Sequence, residues 1–225
     1  MRAYKTYENE NPHVVDMLNA LADKHTDHKS YRNAFFSIGC ELGRVLEPKL
    51  PEDYQSSAVL ACASEDADWL AKGVLEGISA PQLPISVFWT KRHQLNDDVH
   101  ITPITMSYQD DIQTSCKTII IVKSIISSSC VVKTQLLRLI SLISPEHIFI
   151  VAPVMFVNAE KNLIADFPKN ISDKFSFVTF AIDDELNGRE IVPGIGGMVY
   201  DRLGLGGEAK KNQYIPHLVM ERMAN

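Results

Sequence analysis

The chain is short of cysteine, of long apolar runs and of basic charge, and each shortage removes a class of function. Its four cysteines (Cys40, Cys62, Cys116 and Cys130) are scattered, with no CxxC or CxxxC pair. No metal site is expected from them, and reduced thiols in a cytoplasmic setting are. No stretch approaches the ~18 apolar residues of a membrane span. The opening MRAYKTYENENPH lacks the apolar core of a secretory leader. Lys and Arg total 22 against 28 Asp and Glu, a net charge of −6. This argues against a generic nucleic-acid coat, which needs a basic face, and leaves room for a local basic patch. The seven histidines show no HxxxH or HExxH spacing, and the serines show no GxSxG elbow. These absences argue against zinc and serine hydrolases.

What remains is 225 residues, 45% of them hydrophobic, ample for a buried core. Val14, Val15, Leu18, Leu21 and Ala22 recur at helical spacing, and Phe35, Ile38, Leu42 and Val45 predict a second helix over 31–46, ended by Pro48 and Pro51. Residues 1–50 are therefore expected to be a helical segment packing on an α/β domain spanning 51–225, within a single domain overall. In that second part the period changes. Short apolar runs at 58–62, 85–89, 118–122, 147–152 and 175–182 predict strands, and 131–143 predicts a helix. The run at 118–122, Thr-Ile-Ile-Ile-Val, has the β-branched character of a central parallel strand. Residues 99–102 and 104–108 are expected to pair as a hairpin. Ser64 is expected to cap a helix running to about Ile78, with Glu65, Asp66 and Asp68 in its first turn. Strands alternating with helices imply a mostly parallel sheet flanked by helices, with ligands at the carboxyl ends of the strands. The loops at 63–68 and 123–130 and the segment after 182 are the places to look. Lys210, Lys211 and Arg222 are expected on a solvated basic face.

Seven of the eleven glycines lie between Gly188 and Gly207. Glycine there supplies backbone that adopts positive φ or approaches a ligand closely. The pattern is not a dinucleotide fingerprint, which sits between a first strand and a helix.

Within this stretch, Asp184-Glu-Leu-Asn187, Ile191-Val-Pro-Gly-Ile-Gly196 and Asp201-Arg202 resemble the base-binding segment of uracil phosphoribosyltransferases, which reads LN…YIVPGLGD..DR. Order and spacing agree, save one extra residue before Asp201. Upstream, Val87-Phe-Trp-Thr-Lys-Arg92, residues 104–108 and residues 111–122 are similar to the same family, and the resemblance extends over residues 30–207. It implies a type I phosphoribosyltransferase fold, a homodimer, and a base held by Ile191, Val192, Gly194, Gly196, Asp201 and Arg202. No cofactor is fixed by the sequence, and Mg²⁺ is expected only if phosphoribosyl pyrophosphate or a nucleotide binds.

Two loops depart from the family pattern. The family places an acid after the central strand to hold the ribose hydroxyls, then a Thr-Gly-Gly-Ser-like turn around the phosphate. Here Lys123 takes the acid's place, and Ser128, Ser129 and Cys130 fall where Thr-Gly-Gly would be; Lys123, Ser127, Ser128, Ser129 and Cys130 are the candidate phosphate-binding residues. The pyrophosphate loop, which carries arginine in the family, holds Glu65, Asp66 and Asp68. Those acids either repel a polyanion, hold a divalent cation or decorate a helix start, and propensity alone favours the last. The expectation is a divergent member of the family that binds a nucleotide or base, or serves as a subunit of a regulatory or defence complex with a protein or nucleic-acid partner. Uracil salvage is not expected. The alternative is a divergent transferase or nucleotide-cleaving enzyme acting at an anomeric carbon.

Overall fold

The apolar runs form one twisted sheet. The computed structural model describes residues 1–91, 93–94, 100–113, 115–188 and 190–224. The chain order is β1 (Arg2–Tyr4), α1 (Val14–Ala22), α2 (His28–Leu46), β2 (Ala58–Ala63), α3 (64–77), β3 (Ile85–Thr90), β4 (Ile104–Gln109), β5 (Thr118–Val122), β6 (Ile125–Ile126), α4 (Cys130–Ile140), β7 (His147–Val151), β8 (Val154–Phe156), α5 (Ala159–Ala165), β9 (Phe175–Val178), β10 (Ala181–Asp183), the hairpin β11 (Glu185–Asn187) and β12 (Glu190–Val192), and α6 (His217–Met223), with short helical turns between some of them. Arg92, Val99, Thr114 and Arg189, which the sequence reading included, lie outside the described residues.

The main sheet runs β9-β7-β5-β2-β3-β4. Its first five strands are parallel, and β4 joins the edge antiparallel to β3. The fold is thus mixed α/β, with a central, mostly parallel sheet flanked by helices. Both faces are covered, so the inner strands are apolar throughout instead of alternating. Leu60, Cys62, Ile120 and Val122 face the core shared with α1, α2 and α3. Val59, Ala61, Ile119 and Ile121 face the core shared with α4 and α5. Among the described residues, 100–102 and 104–108 do not pair with each other as the expected hairpin. Residues 104–109 pair with β3, and His100–Ile101 pairs with His93–Gln94.

A second, four-stranded sheet was not foreseen. It runs β1-β10-β8-β6. Three neighbouring parallel strands each break after the main sheet and resume in the small one, at 123–124, 152–153 and 179–180. The expected single strand over 175–182 is therefore two. Strands of two or three residues carry no readable period. Arg2 closes this sheet from the inside. It pairs with the fully buried Asp183 at 2.8 Å through two nitrogens and donates to the Gly194 carbonyl at 2.6 Å.

Helices α2 and α3 touch backbone to backbone. A Cβ built at Gly39 or Gly43 would lie 2.5 Å from the carbonyl oxygen of Leu70 or Val74. At Gly73 and Gly77 the carbonyls of Phe36 and Cys40 stand nearer still. Two glycines four apart on each helix line up on one face, and only hydrogen at Cα allows this approach. The contact matters to the site because α3 begins with the loop of interest. Its middle, Ala67–Ala71, is a π-helical turn, and Ala63, not Ser64, is its N-cap.

Candidate functional site

In the order of the parallel strands, the chain leaves β2 toward β3 on one side and returns to β5 on the other. The carboxyl ends of β2 and β5 therefore flank the point where strand order reverses, the usual crevice of such sheets. Glu65 and Asp66 follow β2, and Lys123 follows β5. The Lys123 ammonium spans the crevice, 2.6 Å from Asp66 Oδ2, 3.0 Å from Ser124 Oγ and 3.5 Å from Glu65 Oε1. The side chains of Lys123, Glu65 and Asp66 are 10%, 7% and 0% exposed. The two acids do not decorate a solvated helix start, because a cation 57 residues away from Asp66, unseen by local propensity, draws them inside.

Burial of such charges is unfavourable, and their mutual attraction offsets it. For Glu65, desolvation pushes the carboxyl up, but the charges of Lys123 and Lys211 hold it below the ordinary carboxylate range. For Asp66, desolvation, helped by the charge of Glu65, outweighs the pull of Lys123 and raises the carboxyl. For Lys123, burial pulls the ammonium down, and Asp66 and Glu65 more than restore it, so it stays charged above its ordinary value.

A cavity of about 270 Å³ opens beside this pair. Lys123, Ser124, Ser127 and Ser128 line it, as do the apolar Ile191, Ile195 and Val199 and the ring of Tyr200. Thr90, Thr102, Glu65 and Lys211 complete the lining together with Glu190. Ser127 and Ser128 stand just before α4, whose first N–H groups lack intrahelical partners. Ser129 is the N-cap residue of α4 and Cys130 its first residue, and neither lines the cavity.

Sequence reasoning missed Lys211. Expected on a solvated face, it is 6% exposed, donates to the Thr90 carbonyl at 3.0 Å and lies 4.0 Å from Glu65 Oε1. It reaches the crevice because the chain after the glycine-rich segment folds back over β3, where the Tyr214 carbonyl accepts from Trp89 Nε1 at 2.8 Å. Asp68, the third acid, anchors that return. It accepts from the backbone N–H groups of His217 and Leu218 at 2.9 and 2.8 Å and from the Tyr214 hydroxyl. Asp68→Ala is expected to cost about 1–2 kcal/mol, as loss of a helix cap does. Amide hydrogen exchange would show the loss as faster exchange in 214–223, with the sheet unaffected. Arg222 also leaves the solvated face, donating to the carbonyls of Pro81, Gln82 and Leu83.

The residues that the resemblance assigns to a base divide. Ile191 lines the cavity, and it also lines a neighbouring one of about 410 Å³ with Val192, Pro193, Lys24, His25 and Asn187. Gly194 lines neither. At φ +56° its N–H donates to Asp183 Oδ2 at 2.9 Å, which holds the loop to the small sheet. Gly196, at φ +76°, packs where a Cβ would lie 2.5 Å from the Leu21 carbonyl. Asp201 is exposed and lines neither cavity. Arg202 donates to the carbonyls of Asp23, Lys24 and Thr26 at 2.8–2.9 Å, and its guanidinium lies 4.8 Å over the Tyr31 ring. These contacts commit Arg202 to tying the glycine-rich segment to the α1–α2 connection.

The donor set bears on the Mg²⁺ that would accompany phosphoribosyl pyrophosphate or a nucleotide. Glu65 and Asp66 are the carboxylates that meet the Lys123 ammonium, which stands where an ion between them would sit, and Glu190 is a further carboxylate on the cavity lining. Among the described residues no group of three His, Cys, Asp or Glu side chains is placed to hold a metal. The chain's own residues do not fit a protein-held Mg²⁺.

No helix among the described residues is long and apolar enough to cross a membrane. No protein-family model matches the sequence, and no curated protein is similar to it in sequence. Solved structures are similar in fold. The AQ2163 protein from Aquifex aeolicus superposes with a TM-score of 0.69 at 17% identity, over 88% of this chain and 96% of its own. A hypothetical protein from Neisseria gonorrhoeae with bound ppGpp aligns at a TM-score of 0.43 and 11% identity, over 68% of this chain and 84% of that one. Hypoxanthine-guanine phosphoribosyl transferase from L. donovani aligns at 0.43 and 10%, over 75% and 90%. The first likeness shows that this α/β fold is shared along nearly the whole of both chains.

Proposed function

We propose that the protein binds a nucleotide or nucleobase on a divergent phosphoribosyltransferase-like scaffold and does not perform uracil salvage. The observation that carries this reading is the buried Lys123–Asp66–Glu65 cluster in the crevice. Phosphoribosyl transfer needs a carboxylate free to accept from ribose hydroxyls and a cationic loop for departing pyrophosphate. It works mainly by positioning and charge stabilisation. Here the central loop offers an ammonium already held by two acids, and the other loop supplies those acids. A pyrophosphate approaching Glu65 meets like charge.

Binding of a smaller ligand suits the same cavity. Ser127 and Ser128 hydroxyls and the start of α4 offer donors to one phosphate. Ile191, Ile195, Val199 and Tyr200 offer an apolar wall to a base. On this reading the protein acts in the cytoplasm as a homodimer or as a subunit of a larger regulatory complex.

The test is calorimetric titration of the protein with uridine 5′-monophosphate and uracil, beside a turnover assay with phosphoribosyl pyrophosphate, Mg²⁺ and labelled uracil. Monophosphate binding without product is expected. The Ser127→Ala/Ser128→Ala double variant is expected to weaken binding about tenfold, the worth of one or two hydrogen bonds. Protein-dependent formation of uridine monophosphate would overturn the reading. So would folded protein that binds neither compound.

A further inference from the structure

We infer that the Lys123 ammonium is the resident cation of this crevice, standing in for a divalent ion between Glu65 and Asp66, and that ligand binding here needs no divalent metal. The second half rests on the binding reading above, and the first half does not.

The coordination is complete for an ammonium. Lys123 has three N–H donors, and three oxygens surround it: Asp66 Oδ2 at 2.6 Å, Ser124 Oγ at 3.0 Å and Glu65 Oε1 at 3.5 Å. Its backbone is also fixed, because its N–H donates to the Val151 carbonyl at 3.0 Å, between β5 and β6. The side chain therefore has one place to put its charge. The charge count points the same way. Lys123 and Lys211 balance Glu65 and Asp66, all four of them buried. A divalent ion added to those four leaves two excess positive charges, of which the half-buried Glu190 on the cavity lining can offset one, and the remainder in a poorly solvated crevice is unfavourable.

The oxygens themselves are of the kind that hard cations take. Asp66 Oδ1 is buried and without a hydrogen-bond partner. Two carboxylates and a hydroxyl, with water, make a serviceable Mg²⁺ or Mn²⁺ set. What keeps the ion out is the lysine. Without that charge, the crevice should acquire the ion dependence that it lacks.

The experiment uses Mn²⁺ as probe, followed by electron paramagnetic resonance on the full chain. Wild type is expected to bind no Mn²⁺ up to about 1 mM, the weak end of protein oxygen sites. Lys123→Gln is expected to bind Mn²⁺ at least tenfold more tightly, and a further Glu65→Gln change is expected to abolish the gain. In parallel, wild-type affinity for uridine 5′-monophosphate should agree within twofold between excess EDTA and excess MgCl₂. Mn²⁺ binding by wild type that disappears in Glu65→Gln would overturn the inference. So would a folded Lys123→Gln that gains no Mn²⁺ affinity, or monophosphate binding that falls tenfold in EDTA. If Lys123→Gln does not fold, the wild-type titration decides alone. If the monophosphate does not bind at all, the binding reading fails, and the resident cation still stands or falls on Mn²⁺.

Discussion

Replacing Gly77 with alanine should cost about 3 kcal/mol, the upper part of the range for forcing a methyl group into packed structure. Leucine at the same place should leave no folded protein. The added Cβ meets the backbone carbonyl of Cys40, and the Cα of Gly43 lies 2.8 Å from it. A flexible side chain would move aside, but a helix backbone cannot without shifting as a whole. Gly73→Ala should behave alike, because the Phe36 carbonyl faces it. Urea unfolding checks both: the midpoint should fall while the slope stays that of wild type, since the fold and its buried area are unchanged. A midpoint within the error of wild type would mean that α2 and α3 do not touch as described. Parting these helices also moves the start of α3, and with it Glu65 and Asp66.

The second large effect is expected at Lys123. Lys123→Met removes the counter-ion of two buried carboxylates and keeps most of the side-chain volume. Breaking a buried ion pair from one side costs about 3–5 kcal/mol, most of it from the charge left behind. Lys123→Met/Asp66→Asn, which removes one of the stranded charges, should recover a large part of that loss. The pH dependence is the sum of opposing parts: Asp66 lies above its ordinary value of 3.8, so its native state binds more protons than the unfolded chain and its part favours low pH, against that of Glu65. With Lys123 present, Glu65 lies below its ordinary value of 4.5. The native state then binds fewer protons there than the unfolded chain, so that stabilisation is present above pH 4.5 and is lost as pH falls through the folded value. Lys123 lies above its ordinary value of 10.5, so its contribution is present below that pH and is lost as pH rises through the folded value. In Lys123→Met both carboxylates favour the protonated form in the native state, so the variant should gain on wild type as pH falls from 7 toward 4. Parallel curves for variant and wild type would show that Lys123 is not the counter-ion.

The parallel strands were legible because a sheet covered on both faces writes itself as uninterrupted runs such as 118–122. The position of Lys123 was legible for the same reason, as the first charge after the central run. Its partners were not. Glu65 and Asp66 sit in a helix's first turn, where acids are commonplace. Only the strand order, with β5 beside β2, turns them toward a lysine 57 residues away. Lys211 is harder still, because its neighbourhood reads as a basic surface until the return of the chain over β3 is known. Of the segment carrying the family resemblance, Ile191 reaches the cavity, while Arg202 and Gly194 spend their polar groups on the chain's own backbone and on Asp183. A motif records which residues occur together and does not say whether they hold a ligand or each other. The paired glycines of α2 and α3 did leave a trace, four residues apart in each helix.

The small sheet has a consequence for the order in which the molecule assembles. Arg2 is paired with Asp183, across 181 positions of chain. Closing so long a loop is entropically costly and slow, and contacts of this separation tend to form last. The inner strands of the main sheet can pair once residue 151 has been made. The Arg2–Asp183–Gly194 clasp, which fixes the loop carrying Ile191 and Ile195, cannot. A chain emerging from the ribosome would therefore own a hydrophobic core well before it owned the cavity lined by Ile191 and Ile195, and nascent protein should be protease-resistant before that cavity forms.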